Sequence, residues 1–307
     1  MNIVEEIIRL KEEKKAIILA HYYVDAQIQA IADFVGDSLA LAQFSKKTNA
    51  EVIIFCGVHF MAETAKILNP NSKVLIPDLN AGCSLADSAP LEKFIEYKKQ
   101  IPDAVVVSYI NCTADIKAES DFICTSSNAI DIVNAIPEEK EIIFAPDKNL
   151  GKYVEKVTNR KLHLWDGACM VHVDISIEKL NQLIQTHDDA ELVAHPECNE
   201  NILEKATFIG STKALIEHVK NSEKLKFIVA TEAGILYKMK KEAPDKIIIP
   251  APSNENNTCA CAECPYMKMN TLEKILLTLK NESPEIQIHE HIRLRAKKAI
   301  DNMLEIC

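Results

Sequence analysis

Three stretches of the chain repeat one another, which suggests three like units in a three-fold arrangement around one shared site. They read LAHYYVDAQIQAIADFVGDSLALAQF from Leu19, VSYINCTADIKAESDFICTSSNAIDIV from Val107 and VAHPECNENILEKATFIGSTKALIEHV from Val193. In each, an apolar strand ends on a ring side chain: His21, Tyr109 and His195. From His21 to Tyr109 is 88 residues, and from Tyr109 to His195 is 86. Fifteen residues beyond each ring stand Gly36, Cys124 and Gly210, followed by the polar pairs Asp37-Ser38, Thr125-Ser126 and Ser211-Thr212. Each copy then runs through a third strand to a cysteine: Cys83, Cys169, and in the last copy one of Cys259, Cys261 and Cys264.

Short β-branched runs recur in every copy. They are 16–20, 52–55 and 73–76 in the first, 104–108, 141–145 and 161–165 in the second, and 190–194, 226–230 and 246–250 in the third. Continuous runs of this length suit strands buried on both faces, as in a parallel sheet. ADFVG, DFICT and ATFIG are candidates for a fourth short strand in each unit. Helical stretches lie between, at 38–47, 61–68, 128–135, 212–221 and 235–242, which gives α/β units with crossover connections. The expected fold is α/β: three pseudo-symmetric α/β/α sandwich domains with short parallel sheets around a central cavity. Their bounds are 1–87, 88–172 and 173–265, with a helical segment at 266–307 packing back on the first repeat. Ligands of open parallel sheets bind beyond the carboxyl ends of the strands. The strand-end rings and the cysteines share that edge, so three convergent edges would line one cavity.

A formal charge of −10 argues against nucleic acid and anionic membrane as partners, since both need a basic face. No apolar run reaches bilayer-spanning length. The N-terminal segment lacks the order of a secretion signal and reads as a first helix, which places the expected location in the cytoplasm. In that reducing setting ten cysteines read as metal ligands, catalytic groups or buried small residues rather than disulfides. Cys56, Cys112, Cys124, Cys198 and Cys307 have no counterparts across the repeats and read as packing residues. Cys261 and Cys264 alone would equally suit a redox pair or half of a zinc site. One thiolate per unit suits a soft metal centre. A [4Fe–4S] cluster so held keeps one iron free of protein ligation, able to act as a Lewis acid on a substrate oxygen.

His195 is followed two residues on by Glu197, a base and a carboxylate positioned for proton transfer. Tyr23 and Asn111 hold the same place after His21 and Tyr109. The polar pairs read as helix N-caps, which around a cavity would also receive carboxylates or a phosphate. With seven glycines and no G-x-G-x-x-G or Walker loop, the chain offers no nucleotide cradle. A G-x-S-x-G elbow is also missing.

AHYY (20–23), GDSLALA (36–42), CGVHFMAETAKIL (56–68), AGCSLAD (81–87), SYINC (108–112), TSSNA (125–129), PDKNLG (146–151), WDGACMVH (165–172), HPEC (195–198), GSTK (210–213) and CPYMKMN (264–270) together resemble the quinolinate synthase family, in family order over nearly the whole chain. The resemblance implies a [4Fe–4S] transferase of NAD biosynthesis. Such an enzyme condenses iminoaspartate with dihydroxyacetone phosphate to quinolinate, losing phosphate and two waters. An L-aspartate oxidase or aspartate dehydrogenase would supply the imine. By the same resemblance Cys83, Cys169 and Cys264 are cluster ligands, Cys264 because it precedes Pro265-Tyr266. His21, Ser38, Tyr109, Asn111, Ser126, His195 and Thr212 bind substrate carboxylates or phosphate, and His172 sits near the open iron. Tyr23, His195 and Glu197 serve proton transfers and ring closure, with one unit closing over the others to keep water from the imine. Some members carry Cys-x-x-Cys-x-x-Cys here; the spacing from Cys259 to Cys261 departs from that pattern, so no redox role is carried over to either. Competing readings are a non-enzymatic iron–sulfur oxygen sensor and a three-domain zinc hydrolase.

Overall fold

A computed structural model describes residues 2–254 and 261–306. The first unit contains β1 (Ala16–His21), β2 (Phe34–Gly36), β3 (Val52–Cys56) and β4 (Lys73–Leu75), in the spatial order β2-β1-β3-β4. The second contains β5 (Val105–Tyr109), β6 (Phe122–Cys124), β7 (Ile142–Ala145) and β8 (His163–Leu164), ordered β6-β5-β7-β8. The third contains β9 (Glu191–Ala194), β10 (Phe208–Ile209), β11 (Lys226–Ala230) and β12 (Ile247–Pro250), ordered β10-β9-β11-β12. All strand pairings within these sheets are parallel. The sequence repeat is thus a repeat of topology, and the DF and TF segments are the outer strands β2, β6 and β10.

Burial on both sheet faces explains the unbroken apolar runs. In the third sheet Val193, Phe227 and Val229 pack with Leu215, Val219 and Met239, while Leu192, Ile228 and Ala230 face Leu180, Ile202 and Val171 on the other side. Alternate side chains of one strand thereby feed two cores.

The fifteen-residue spacing has a direct cause in register. His21 pairs with Gly36 and Tyr109 with Cys124, side by side at the carboxyl edge. In the third unit the Gly210 N–H donates to Ala194 O at 3.1 Å, next to His195. Each sheet reverses its crossover direction between its first and third strands, and the crevice at such a switch point is where doubly wound sheets bind ligands.

The first two sheets share one continuous core. Helix Glu290–Ile306 contributes Ala296, Ala299, Ile300 and Met303 to it and runs along helix Ala114–Ala118 and β6. Helix Leu272–Asn281 lies on helix Ile3–Glu13. Between these two C-terminal helices, Ile286 N–H donates to Val74 O and Ile76 N–H to Pro284 O, extending the first sheet past β4. The third sheet keeps its own two cores and meets the rest through Tyr22, Tyr23 and Val35 on one face and Cys169 and Cys264 on the other. Among the described residues, no helix is long and apolar enough to cross a membrane.

Candidate functional site

The carboxyl edges of the three sheets converge on one cavity. Its wall includes His21, Tyr23, Ser38, Tyr109, Asn111, Ser126, His172, His195, Glu197 and Thr212, together with Cys83, Cys169 and Cys264. All thirteen residues singled out in the sequence therefore border one space. Cys259 lies outside the described residues. Cys261 is buried and does not line this cavity.

One hydrogen-bonded relay links the units. Tyr23 Oη shares bonds with Thr212 Oγ1 (3.0 Å) and Thr231 Oγ1 (3.1 Å), and Thr231 Oγ1 meets His172 Nε2 at 2.9 Å. Tyr109 donates to Glu197 Oε1 at 2.6 Å, a short charge-assisted contact. His172 Nδ1 and Glu197 Oε2 face each other at 3.4 Å but are not aligned for a hydrogen bond, so each lacks a partner. Asn111 Oδ1 is likewise buried and unpartnered. Buried polar atoms are rarely left so, and three of them on one cavity wall mark places where a ligand completes the bonding.

The two strand-end histidines are held alike. The Tyr23 N–H donates to His21 Nδ1 and the Glu197 N–H to His195 Nδ1, both at 3.3 Å. Nδ1 is therefore an acceptor in both rings, which assigns the neutral ring's proton to Nε2. His195 Nε2 meets Ser126 Oγ at 3.1 Å. Burial lowers both imidazoles to about 3, with the Glu197 charge opposing it, so both are uncharged at neutral pH. Glu197 moves down: burial pushes it up, but His172 and the Tyr109 hydroxyl outweigh that and hold it ionised. Its neighbour Asp147 moves up, through burial and the Glu197 charge.

The polar pairs divide. Asp37 and Ser211 are true N-caps, accepting from Ala40 N–H and Ala214 N–H, which puts Ser38 and Thr212 at the first helical position. Thr125-Ser126 departs from the capping expectation. Asn128 Oδ1 accepts from both the N–H and the hydroxyl of Thr125, closing a turn, and the helix starts only at Ala129. Ser126 is left in that turn, against His195. Among the cavity residues there is no lysine or arginine; two helix starts and the hydroxyls of Ser38, Ser126 and Thr212 stand where anion-binding cations would be.

The cysteines are counterparts in the backbone as well. His59 N–H donates to Ala81 O (2.7 Å), Lys148 N–H to Gly167 O (2.9 Å) and Ala233 N–H to Ala262 O (2.8 Å). Each acceptor lies two residues before Cys83, Cys169 or Cys264. Burial raises the three thiols, Cys83 to about 12, Cys264 to about 11 and Cys169 well above its usual value. Ligand atoms of Cys169, His172 and Glu197 also lie within 4.8 Å of one another, close enough for a shared metal.

Sequence reasoning passed over Glu232, which lines the cavity, and Asp147, which sits behind it. The signal was available: both stand two residues past the third strand of their unit, where the repeat comparison stopped short.

The family described as "Quinolinate synthetase A protein" matches residues 5–305. The quinolinate synthase of Nostoc punctiforme is 59% identical over 297 residues, covering 97% of this chain and 91% of the relative. That of Chloroherpeton thalassium is 56% identical over 306 residues, covering 100% and 95%, and that of Cyanophora paradoxa is 56% identical over 305 residues, covering 99% and 92%.

Proposed function

The chain belongs to the quinolinate synthetase A family, and on that premise we propose that it condenses iminoaspartate with dihydroxyacetone phosphate to give quinolinate, phosphate and two waters, as an enzyme of NAD biosynthesis. The observation that carries this reading is the convergence of three strand-end groups, three hydroxyl-bearing polar pairs and three free cysteines on one cavity. An oxygen sensor needs the cysteines but has no use for the relay from Tyr23 through Thr231 to His172, nor for the Tyr109–Glu197 pair.

The donor set fits a [4Fe–4S] cluster. Cys83, Cys169 and Cys264 would hold it, one from each unit, and the unpartnered His172 Nδ1 and Glu197 Oε2 lie beside Cys169 for a ligand at the open position. When bound, such a cluster supplies a Lewis-acidic iron that polarises a substrate oxygen.

The remaining work falls to side chains. Ser38, Ser126 and Thr212 hydroxyls, the helix starts and the Nε2–H of His21 and His195 would bind carboxylates and phosphate. Tyr109 Oη and Asn111 would fix the substrate's orientation. Glu197, ionised and with Oε2 free, is the acceptor for a carbon-bound or hydroxyl proton, and Tyr23 Oη returns protons through its threonine partners. Uncharged histidines suit this scheme, since they donate without competing for Glu197's proton. Burial of these groups excludes water from a hydrolysable imine.

The test is anaerobic reconstitution followed by a quinolinate assay from enzymatically generated imine and dihydroxyacetone phosphate. Quinolinate formation is expected; a fully loaded chain that makes none sinks the proposal.

Close approach of the third unit to Tyr23 gives a further expected result. A Cβ on Gly234 would lie 2.7 Å from Tyr23 Cα and 2.8 Å from its carbonyl oxygen, so the backbone carrying the tyrosine would have to shift. Gly234→Ala is expected to lower kcat roughly 10²-fold, the scale of a 1 Å misplacement of a catalytic group. Unchanged turnover would show that Tyr23 tolerates displacement.

A further inference from the structure

Two buried carboxylates, Glu232 in the cavity wall and Asp147 behind it, occupy equivalent places in the repeat. Asp147 stands two residues past β7 and Glu232 two past β11, and both are shielded from solvent. Asp147 Oδ1 accepts the Leu150 N–H at 2.8 Å, and its Oδ2 accepts the Cys169 N–H at 3.3 Å. Glu232 Oε2 accepts the Gly234 N–H at 2.6 Å, and its Oε1 accepts the Cys264 N–H at 3.0 Å. Asp147 thus ties the start of helix Lys148–Thr158, and Glu232 the turn after β11, to the amide of a cysteine more than twenty residues away in sequence. The first unit keeps the neighbouring backbone bond, His59 N–H to Ala81 O, but has Val58 at the matching place, which offers no acceptor.

We propose that Asp147 and Glu232 are positioning residues for the thiolates of Cys169 and Cys264. The inference rests on the cluster reading above. A carboxylate is costly to bury and persists where its bonds do something a neutral residue cannot. Here one oxygen orients the strand turn and the other fixes the peptide plane of the cysteine, so the Sγ presented to the cavity has a set direction before a metal arrives. Outer groups that orient metal ligands commonly carry a 10- to 100-fold share of metal affinity. An amide side chain at either place has only one acceptor oxygen for two N–H donors.

The experiment compares full-length wild type with Glu232→Ala, Glu232→Gln, Asp147→Ala, Asp147→Asn and Asp121→Asn, all reconstituted anaerobically. Asp121 is the control: its carboxylate accepts the Val106 N–H at 2.8 Å, at the amino end of β5 and away from the cavity. The readouts are the rate at which a soluble chelator strips iron, followed by thiolate-to-iron absorbance, and the circular dichroism of the cluster-free chains. The alanine variants are expected to lose iron about 10- to 100-fold faster than wild type, the amide variants at intermediate rates, and the control at the wild-type rate. The graded rescue by the amides separates positioning from loss of fold, and the amide variants decide the matter where an alanine variant does not fold. Wild type that holds iron while all four variants release it at the same rate overturns the positioning role alone. Wild type that takes up no iron overturns the cluster reading, and this inference with it.

Discussion

Cys83→Ala, Cys169→Ala and Cys264→Ala are each expected to abolish the iron–sulfur cluster, while Cys198→Ala and Cys259→Ala leave it in place. Each of the three borders the cavity from a different unit, and each follows by two residues a carbonyl gripped by the turn after a third strand. Among the described residues these three are the cysteines that border the cavity, so removing one leaves a cluster held by two. Cys198 is also buried, but its Sγ lies 3.2 Å from Ala230 O and outside the cavity wall, a packing role. Iron and sulfide content per chain, with the visible spectrum, decides the question. Full iron in any of the three variants would remove that cysteine from the ligand set. The raised thiols add a pH direction. Metal must displace protons held more tightly than in free cysteine, so reconstitution should proceed more readily as pH rises.

The repeat made most of the architecture legible. Parallel sheets follow from unbroken β-branched runs, and the fifteen-residue interval is the crossover from a first strand to the outer strand beside it. Convergence of the strand-end groups followed from one topological rule applied three times. What stayed hidden depended on side-chain contacts that no sequence pattern announces. No pattern in TSSNA announces that Asn128 folds back onto Thr125 and leaves Ser126 facing His195. Glu232 and Asp147 look like ordinary loop carboxylates until their oxygens are seen on the amides of Cys264 and Cys169. Selection of Cys264 from three closely spaced cysteines came from resemblance, and the Ala233–Ala262 bond supplies the physical counterpart. The C-terminal helices are a similar case: amphipathic in sequence, they reveal only in space that Glu290–Ile306 packs against the second unit as well as completing a core shared with the first.

Glu197→Gln is expected to lower kcat by about 10²–10⁴-fold, the usual share of a well-placed acid–base group, with iron content unchanged. The substitution keeps size and shape, and the amide oxygen can still accept from Tyr109 as Oε1 does at 2.6 Å. What it removes is the second oxygen's capacity to take a proton. Oε2 is buried, free of hydrogen bonds and 3.4 Å from His172 Nδ1, so in the native chain it is an ionised acceptor available to substrate. In the variant an NH₂ group points there instead and can only donate. A binding role alone would raise KM and leave kcat nearly intact, because a neutral donor can still contact a substrate oxygen; a proton-accepting role collapses kcat. Steady-state kinetics on chains matched for iron content separate the two, and wild-type kcat in the variant would take Glu197 out of the chemistry. The same logic sets the direction with pH. Burial would raise Glu197, but His172 and the Tyr109 hydroxyl outweigh it and hold the carboxyl below the ordinary range. Its protonation should therefore limit turnover only at acid pH, below the range where an unperturbed glutamate would titrate.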